Sequence, residues 1–226
     1  TGAQKPIGFD STDSKVNLTD ALRCATEDLP GVSIVFDGKV IPGTRAKKTR
    51  SKSFQAFSSI NFPYLGVLRD GVLLRYIRPE CQVAPVFYDQ LDTAVALLKL
   101  VPGMGREAAD FLLERNHALV IESFGVGGLP CYEQADFLSA AAAWSSVGKP
   151  IVITTQVPHE GSDMEVYQVG HRAKRELGLI EAYSMTSEAV VTKLMWILGQ
   201  TKDHDKGREM FYETINHDIL WNTGGR

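Results

Sequence analysis

Residues 118–128 read ALVIESFGVGG, a run of apolar residues followed directly by a loop that contains three glycines. A continuous aliphatic run is typical of a strand that is buried on both faces of a parallel sheet. Similar runs occur at 95–100 and 151–154, and the residues between them show helical periodicity at 106–116 and 134–146. This alternation of strands and helices predicts crossover units and a parallel sheet, and therefore the α/β class.

The residues that precede this region show a less regular pattern of apolar positions. Residues 18–26 are expected to form a helix with Asn17 or Thr19 as its N-terminal cap. The β-branched run at 32–36 predicts a strand, and the Asp-Gly pair at 37–38 predicts a hairpin turn after it. Further expected elements are a strand at 72–77 and helices at 166–177, 187–198 and 204–216.

A break at 79–85 divides the chain. This segment begins and ends with proline and has no periodicity, so we predict that it is a linker. The two domains that it would join are residues 1–78 and residues 86–226.

Three loops are expected at the carboxyl ends of strands, where open parallel sheets bind their ligands. They lie at 2–9, 123–130 and 156–163, and all are rich in glycine and small polar residues. Such loops expose backbone N–H groups and let a ligand approach the main chain closely. The residues themselves therefore predict a site for a small polar ligand.

The composition of the 226 residues argues against several classes of protein. A net charge of -3 gives no basic field for nucleic acid, and the apolar runs are much shorter than the roughly 20 residues of a membrane helix. No signal peptide is visible at the start. The three cysteines lie far apart, which indicates reduced thiols and a cytoplasmic protein. No metal or other cofactor is predicted, because the histidines have no ligand spacing and the glycine loop has no dinucleotide fingerprint.

Six segments, in order along the chain, resemble those of the type I (cytoplasmic-type) L-asparaginase family. They lie at 1–4 (TGAQ), 43–48 (GTRAKK), 54–63 (FQAFSSINFP), 122–130 (ESFGVGGLP), 155–170 and 185–194. The resemblance implies that residues 1–78 are the remainder of a larger parallel-sheet, flavodoxin-like catalytic domain. A smaller α/β domain with a parallel sheet is expected to follow it.

The resemblance also implies a reaction. In this family a threonine hydroxyl attacks the side-chain amide of L-asparagine, ammonia leaves, and water releases L-aspartate from the acyl-enzyme. A lysine relays protons in that step, and the segment at 43–48 identifies it as Lys48, with Lys47 as the alternative. This basic stretch also holds Arg45, Arg50 and Lys52, and its other interpretations are a solvated surface or a patch that binds phosphate or nucleic acid, although it has no interleaved aromatic residues to stack bases.

Further residues are expected to contact the substrate. The backbone of Ala3 would meet the substrate amide, although residues 1–4 also fit a simple strand end. A carboxylate from the second domain of a neighbouring subunit would bind the α-ammonium group, and Asp163 or Glu165 fits that position. Either carboxylate also fits a capping role at a helix N-terminus. Ser123 and Gly128 are expected beside the substrate, and a dimer or tetramer is implied.

The chain also departs from the family pattern. The family carries its nucleophile in a Thr-Gly-Gly-Thr segment and a Thr-Asp pair ahead of the position of Thr1, so these residues alone are predicted to be inactive. Glu122 and Val157 replace an arginine and a cysteine of an effector site in some relatives, which predicts no cooperativity with asparagine.

Two alternative functions stay open. One is a non-catalytic binding or assembly module, and the other is the asparaginase-like subunit of a tRNA-dependent amidotransferase.

Overall fold

The computed structural model describes residues 1–78, 84–132, 136–166 and 168–221, with the backbone alone at Ser145 and Val169. The chain divides into two compact units, Thr1–Phe87 and Tyr88–Arg226. Most of the predicted linker, 79–83, lies outside the described residues, so the linker and the domain bounds stay a prediction. Among the described helices, none is long and apolar enough to cross a membrane.

Short strands and helix α1 form the described part of the first unit. In chain order its elements are α1 (Ser14–Ala25), β1 (Ser33–Phe36), β2 (Lys39–Pro42), a 3₁₀ helix (Gly43–Arg45), β3 (Ala46–Lys48), β4 (Phe57–Ser59), β5 (Gly66–Arg69) and β6 (Val72–Arg75). One sheet has the order β1-β2-β5-β6, and β3 pairs with β4 in a second. All of these pairs are antiparallel.

Two tight hairpin turns shape the larger sheet. Asp37 and Gly38 connect β1 to β2 with φ angles of 50° and 67°, which confirms the predicted turn. Asp70 and Gly71 connect β5 to β6 in the same way, with φ angles of 50° and 72°. Positive φ at both central residues matches the twist of the flanking strands, and Asp-Gly is a pair that adopts it readily.

Helix α1 begins earlier than the sequence predicts, and the prediction that Asn17 or Thr19 caps it is wrong. Its first residue is Ser14, and Asp13 occupies the N-cap position without a side-chain capping bond. Asn17 therefore lies inside the helix, where it is 1% exposed. A buried amide needs hydrogen-bond partners, and those of Asn17 lie outside the helix.

The second unit contains the predicted parallel sheet. Its elements are β7 (Val95–Lys99), α2 (Glu107–Arg115), β8 (Ala118–Ser123), α3 (Phe137–Ser145), β9 (Ile151–Thr155), α4 (Gln168–Arg175), β10 (Ile180–Glu181), α5 (Ser187–Gln200) and α6 (His204–Tyr212). The strand order is β10-β9-β8-β7, and every neighbouring pair is parallel. The α/β class is thus confirmed.

Strand β8 shows why this sheet is stable. Leu119 and Ile121 face one core, which packs against α2, α3 and α4. Ala118 and Val120 face a second core, which packs against α5 and α6. All four side chains are fully buried. Burial of a side chain of the size of Leu or Ile stabilises the fold by about 1.5–3 kcal/mol, so helices on both faces explain why the strand sequences do not alternate with polar residues.

Candidate active site

A buried carboxylate anchors the amino-terminal segment of the first unit. Asp13 is 7% exposed, and its oxygens accept hydrogen bonds from the backbone N–H of Gln4 at 3.0 Å and of Lys5 at 3.1 Å. Burial would raise the pKa of Asp13, but these hydrogen bonds, with one from Asn17, hold the pKa below its ordinary value. The ionised carboxylate is therefore the form that fixes this segment.

Asn17 connects three parts of the first unit. Its side-chain N–H₂ donates to the carbonyl oxygen of Gly2 and to Asp13, each at 3.0 Å. Its side-chain oxygen accepts from the backbone N–H of Asp37 at 2.9 Å, at the turn after β1. Sequence reasoning missed Asp13 as a site-building residue. The available signal was the spacing of four residues between Asp13 and Asn17, which places both on one face of a helix.

A pocket of about 240 Å³ lies beside this segment. Residues from the amino-terminal segment, β1, β3 and β4 line it: Thr1, Gly2, Ala3, Gln4, Ile34, Phe36, Lys48 and Phe57. The hydroxyl of Thr1 donates to the carbonyl oxygen of Val35 at 2.5 Å and fixes the segment to β1. The structure thus brings together Ala3 and Lys48, the two residues of the first domain that were expected to serve the substrate.

The register of the β3–β4 hairpin places Lys48 at this pocket. Lys48 lies opposite Phe57, which also lines it. Because side chains alternate along a strand, Lys47 points to the other face of the hairpin. The interpretation of the basic stretch as a solvated surface does not hold for Arg45, which is fully buried with its guanidinium 5.9 Å from the centre of the Phe62 ring.

The carboxyl edge of the parallel sheet is held by side-chain hydrogen bonds. Ser123, fully buried at the end of β8, donates its hydroxyl to the carbonyl oxygen of Thr154 at 2.6 Å. Gln156 follows β9 and donates its side-chain amide to the carbonyl oxygens of Leu100 at 2.6 Å and Glu122 at 3.1 Å. The hydroxyl of Ser123 is thus directed into the sheet, where it holds neighbouring strands together.

Gly128 closes the tight loop that follows β8. Its N–H donates to the carbonyl oxygen of Phe124 at 2.7 Å, and its carbonyl oxygen accepts from the N–H of Phe124 at 3.1 Å. Within the loop Gly127 has a φ angle of 132°, a conformation that glycine adopts without strain. The hydroxyl of Thr155 donates to the carbonyl oxygen of Gly125, so the loop is also fixed to the end of β9.

The structure distinguishes the two candidate carboxylates, Asp163 and Glu165. Glu165 forms ion pairs with Lys174 at 3.2 Å and with Arg175 at 3.6 Å, and its carboxylate lies 3.6 Å from Nε2 of His171. The hydrogen bond from Lys174 and the neighbouring positive charges lower the pKa of Glu165. The carboxylate of Asp163, half-buried, accepts from the backbone N–H of Glu165 at 3.1 Å and has no cationic partner among the described residues.

An ion pair between a fully buried carboxylate and a half-buried lysine supports the loop that carries Asp163. Glu181 of β10 is fully buried, and its carboxylate accepts from the backbone N–H of Met164 at 2.8 Å and pairs with Lys174 at 2.8 Å. Burial would lower the pKa of Lys174, but hydrogen bonds to Glu181 and Tyr183 raise it above its ordinary value. Sequence reasoning missed both members of this pair, because their proximity arises only when α4 packs beside β10.

Other residues of the resemblance have structural contacts. Glu122 accepts a hydrogen bond from the hydroxyl of Ser187 at 2.6 Å. Tyr167 lies outside the described residues. In the described part of the chain no cluster of His, Cys, Asp and Glu has the geometry of a metal site.

Comparisons of the sequence with protein families match both parts of the chain. Residues 1–80 match the model described as "Asparaginase, N-terminal", and residues 94–211 match "Glutaminase/Asparaginase C-terminal domain". The chain is 36% identical over 220 residues to an L-asparaginase of Thermococcus kodakarensis, covering 97% of this chain and 66% of that protein. It is also 30% identical over 231 residues to one subunit of the glutamyl-tRNA(Gln) amidotransferase of Pyrococcus furiosus, covering 96% of this chain and 51% of that protein.

Solved structures show the same relationship. The thermostable L-asparaginase from Thermococcus kodakarensis superposes with a TM-score of 0.93 at 34% identity, covering 98% of this chain and 67% of that chain. L-asparaginase I from Vibrio cholerae has a TM-score of 0.84 at 23% identity, covering 97% and 66% respectively, and shows a common fold. This chain spans about two thirds of these structures and about half of the amidotransferase protein.

Proposed function

This chain belongs to the asparaginase family, and from that premise we propose that the protein hydrolyses L-asparagine to L-aspartate and ammonia. The observation that carries the proposal is the pocket of the first unit that Ala3 and Lys48 share. The resemblance assigned proton relay to Lys48 and substrate contact to Ala3, although 43–48 and 1–4 are distant segments of the chain. A shared pocket is what one reaction centre requires.

In the proposed mechanism Lys48 transfers protons. A threonine hydroxyl attacks the side-chain amide carbon of asparagine, and the lysine, which bridges that threonine and the aspartate of the Thr-Asp pair, takes up the hydroxyl proton and passes it to the leaving nitrogen. The leaving nitrogen departs as ammonia, and water then cleaves the ester to give aspartate and the regenerated hydroxyl. The backbone of Ala3 recognises the amide of the substrate, since a carbonyl oxygen accepts from an amide N–H₂ and repels a carboxylate.

We propose that the second unit completes the site of another copy of the chain. Asp163 is the carboxylate assigned to the α-ammonium group of the substrate. The contacts support this choice over Glu165, because Glu165 already pairs with two cations, Lys174 and Arg175. Gly128 would contribute its loop backbone, while Ser123 would act by holding strand ends. The assembly would then be a dimer or a tetramer.

The nucleophile of this mechanism is assigned to a Thr-Gly-Gly-Thr segment, which does not occur in the printed 226 residues. We therefore propose that residues 1–226 alone do not hydrolyse asparagine. The test is ammonia release by a preparation whose intact mass corresponds to these residues, beside the full-length product of the same gene. Turnover by residues 1–226 alone would overturn this assignment, and an inactive full-length product would overturn the hydrolase function.

A second function is favoured by the similarity to glutamyl-tRNA(Gln) amidotransferases. In that case the protein would release ammonia for a partner that amidates glutamyl-tRNA. The two functions differ in what they require. The rate of asparagine hydrolysis is measured with and without glutamyl-tRNA and a partner protein. An unchanged rate supports the asparaginase, whereas a rate that depends on both additions supports the amidotransferase.

A further inference from the structure

A second pocket, of about 250 Å³, lies at the amino ends of the strands of the parallel sheet, away from the carboxyl ends that carry the loops assigned to asparagine. His117 and Pro150, which precede β8 and β9, line it together with Ile180 of β10. These positions are the amino ends of the strands, whereas Ser123 lies at the carboxyl end of β8. The six residues of β8 separate the two edges by about 20 Å. This pocket is therefore distinct from the loops assigned to asparagine.

The floor of this second pocket is apolar. Leu194, Ile197 and Leu198 of α5 form it, and all are buried. Gly207 of α6 lies above them, and a Cβ atom at this position would lie 3.5 Å from a methyl group of Ile197, an ordinary contact distance. The absence of a side chain at Gly207 thus leaves room over an aliphatic surface.

Two cations line the same pocket without a carboxylate partner. Lys149 donates to the carbonyl oxygen of Leu113 at 2.5 Å, and Arg208 donates to the carbonyl oxygen of Gly178 at 2.9 Å. Neither forms an ion pair with a residue in the described ranges. Lys202, also in the lining, differs, because it is paired with an aspartate at 2.5 Å. The lining also holds one carboxylate, Asp203, which accepts from the backbone N–H of Lys206 at 2.9 Å and has no ion pair within the described ranges. The pocket therefore combines an apolar floor with two unpaired cations against one unpaired carboxylate, which leaves an excess of positive charge.

We propose that this second pocket binds a small organic carboxylate with a branched aliphatic or aromatic body. The carboxylate would contact Arg208 and Lys149, and the body would cover the floor formed by α5. The volume of about 250 Å³ corresponds to about eight water molecules at about 30 Å³ each, which suits a ligand of about ten non-hydrogen atoms. Inorganic anions lack the apolar body, and neutral alcohols leave the cations unpaired. The proposal does not depend on the asparaginase function.

Calorimetric titration tests the chemistry of the ligand. The protein is titrated with isovalerate and phenylacetate, with isoamyl alcohol and phenylethanol as neutral counterparts, and with inorganic phosphate. We expect saturable binding of the carboxylates, and binding at least about tenfold weaker for the alcohols and for phosphate, because each lacks one of the two interactions. Equal binding of the alcohols or of phosphate, or no binding of either carboxylate, would overturn the proposal.

Variants test the location. Arg208→Gln and Lys149→Gln should each weaken carboxylate binding about tenfold, while Lys206→Gln, exposed on the same helix and outside the lining, should leave it unchanged. Gly207→Leu should fill the pocket and abolish binding without unfolding the protein, since leucine favours a helix more than glycine does. Unchanged affinity in Gly207→Leu, or displacement of the carboxylate by asparagine, would place the ligand elsewhere and refute the assignment.

Discussion

The side-chain amide of Asn17 donates to the carboxylate of Asp13 at 3.0 Å, and both residues are buried. This pair holds the segment on either side of Ala3, because Asn17 binds the carbonyl oxygen of Gly2 and Asp13 binds the N–H of Gln4. Ala3 itself has no side chain that positions it. The wall of the proposed substrate pocket therefore depends on two residues that do not line it.

Replacement of Asp13 by alanine should loosen this wall. The part-buried N–H groups of Gln4 and Lys5 and the buried amide of Asn17 would lose an acceptor, at a cost of about 1–3 kcal/mol in the free energy of unfolding. In the full-length gene product we also expect a higher KM for asparagine. Urea unfolding and steady-state kinetics measure the two effects. Asp10→Ala, at an exposed position of the same segment, is the control, and equal effects of the two variants would contradict the prediction.

The same carboxylate should make stability depend on pH. The pKa of Asp13 is lowered from 3.8 in the folded state, so its contribution is complete above the unfolded pKa and is lost as the pH falls through the folded value. The difference in unfolding free energy between the wild type and Asp13→Ala should be constant from about pH 7 to pH 5 and shrink below about pH 4. Urea unfolding across this range measures it; a difference that grows in acid would be inconsistent with an ionised Asp13.

The parallel sheet was predictable from the sequence, whereas parts of the first unit were not. The apolar runs that form β8 and β9 are buried on both faces, and β7 continues the same pattern as a mainly apolar edge strand, so hydrophobicity alone identifies all three. Strand β10 has only Ile180 and Glu181, too few residues for a periodic pattern. Strand β3 lies in a basic stretch whose charges indicate an exposed loop. Arg45, the residue before this strand, is nevertheless buried, because tertiary packing covers it and no local pattern shows that packing.

The candidate site was predictable only in part. The resemblance identified Lys48 and Ala3, and their common pocket follows from the fold. The resemblance did not decide which of Asp163 and Glu165 contacts the substrate, because two carboxylates two positions apart fit the same motif. The contacts that separate them come from α4, whose Lys174, His171 and Arg175 surround Glu165. No local pattern reveals that packing.

Lys48 should be needed for turnover and not for folding. In the full-length gene product, Lys48→Ala should lower kcat for asparagine by about 100- to 10,000-fold, the range of a lost proton-transfer group, with an unchanged melting temperature. Lys47→Ala tests the alternative assignment, and Lys52→Ala is a control at an exposed position of the same basic stretch. A larger loss in Lys47→Ala than in Lys48→Ala would transfer the role to Lys47.

The buried ion pair between Lys193 and Asp218 should stabilise the second unit. The two charges are 2.6 Å apart, and their side chains are 5% and 3% exposed. Asp218→Ala leaves the lysine charge buried without a partner and should cost about 3–5 kcal/mol in unfolding free energy. The double variant Lys193→Met with Asp218→Leu should recover much of that loss. Asp205→Ala, at a fully exposed aspartate, is the control in the same urea titrations; a double variant as unstable as the single one would refute the argument.

Asp163 should act on the substrate of another copy of the chain. In the full-length gene product Asp163→Ala should raise KM for asparagine, because the α-ammonium group loses its counter-charge. Glu165→Gln should mainly lower stability, because it disrupts the ion pairs of Glu165.

Mixing two variants tests whether the site is shared between copies. If each site combines Lys48 of one copy with Asp163 of another, a mixture of inactive Lys48→Ala and weakened Asp163→Ala dimers contains intact sites after the subunits exchange. Random exchange of equal amounts makes about a quarter of the sites intact, and activity at low substrate should rise accordingly. Activity that stays at the average of the two variants would show that one copy supplies both residues.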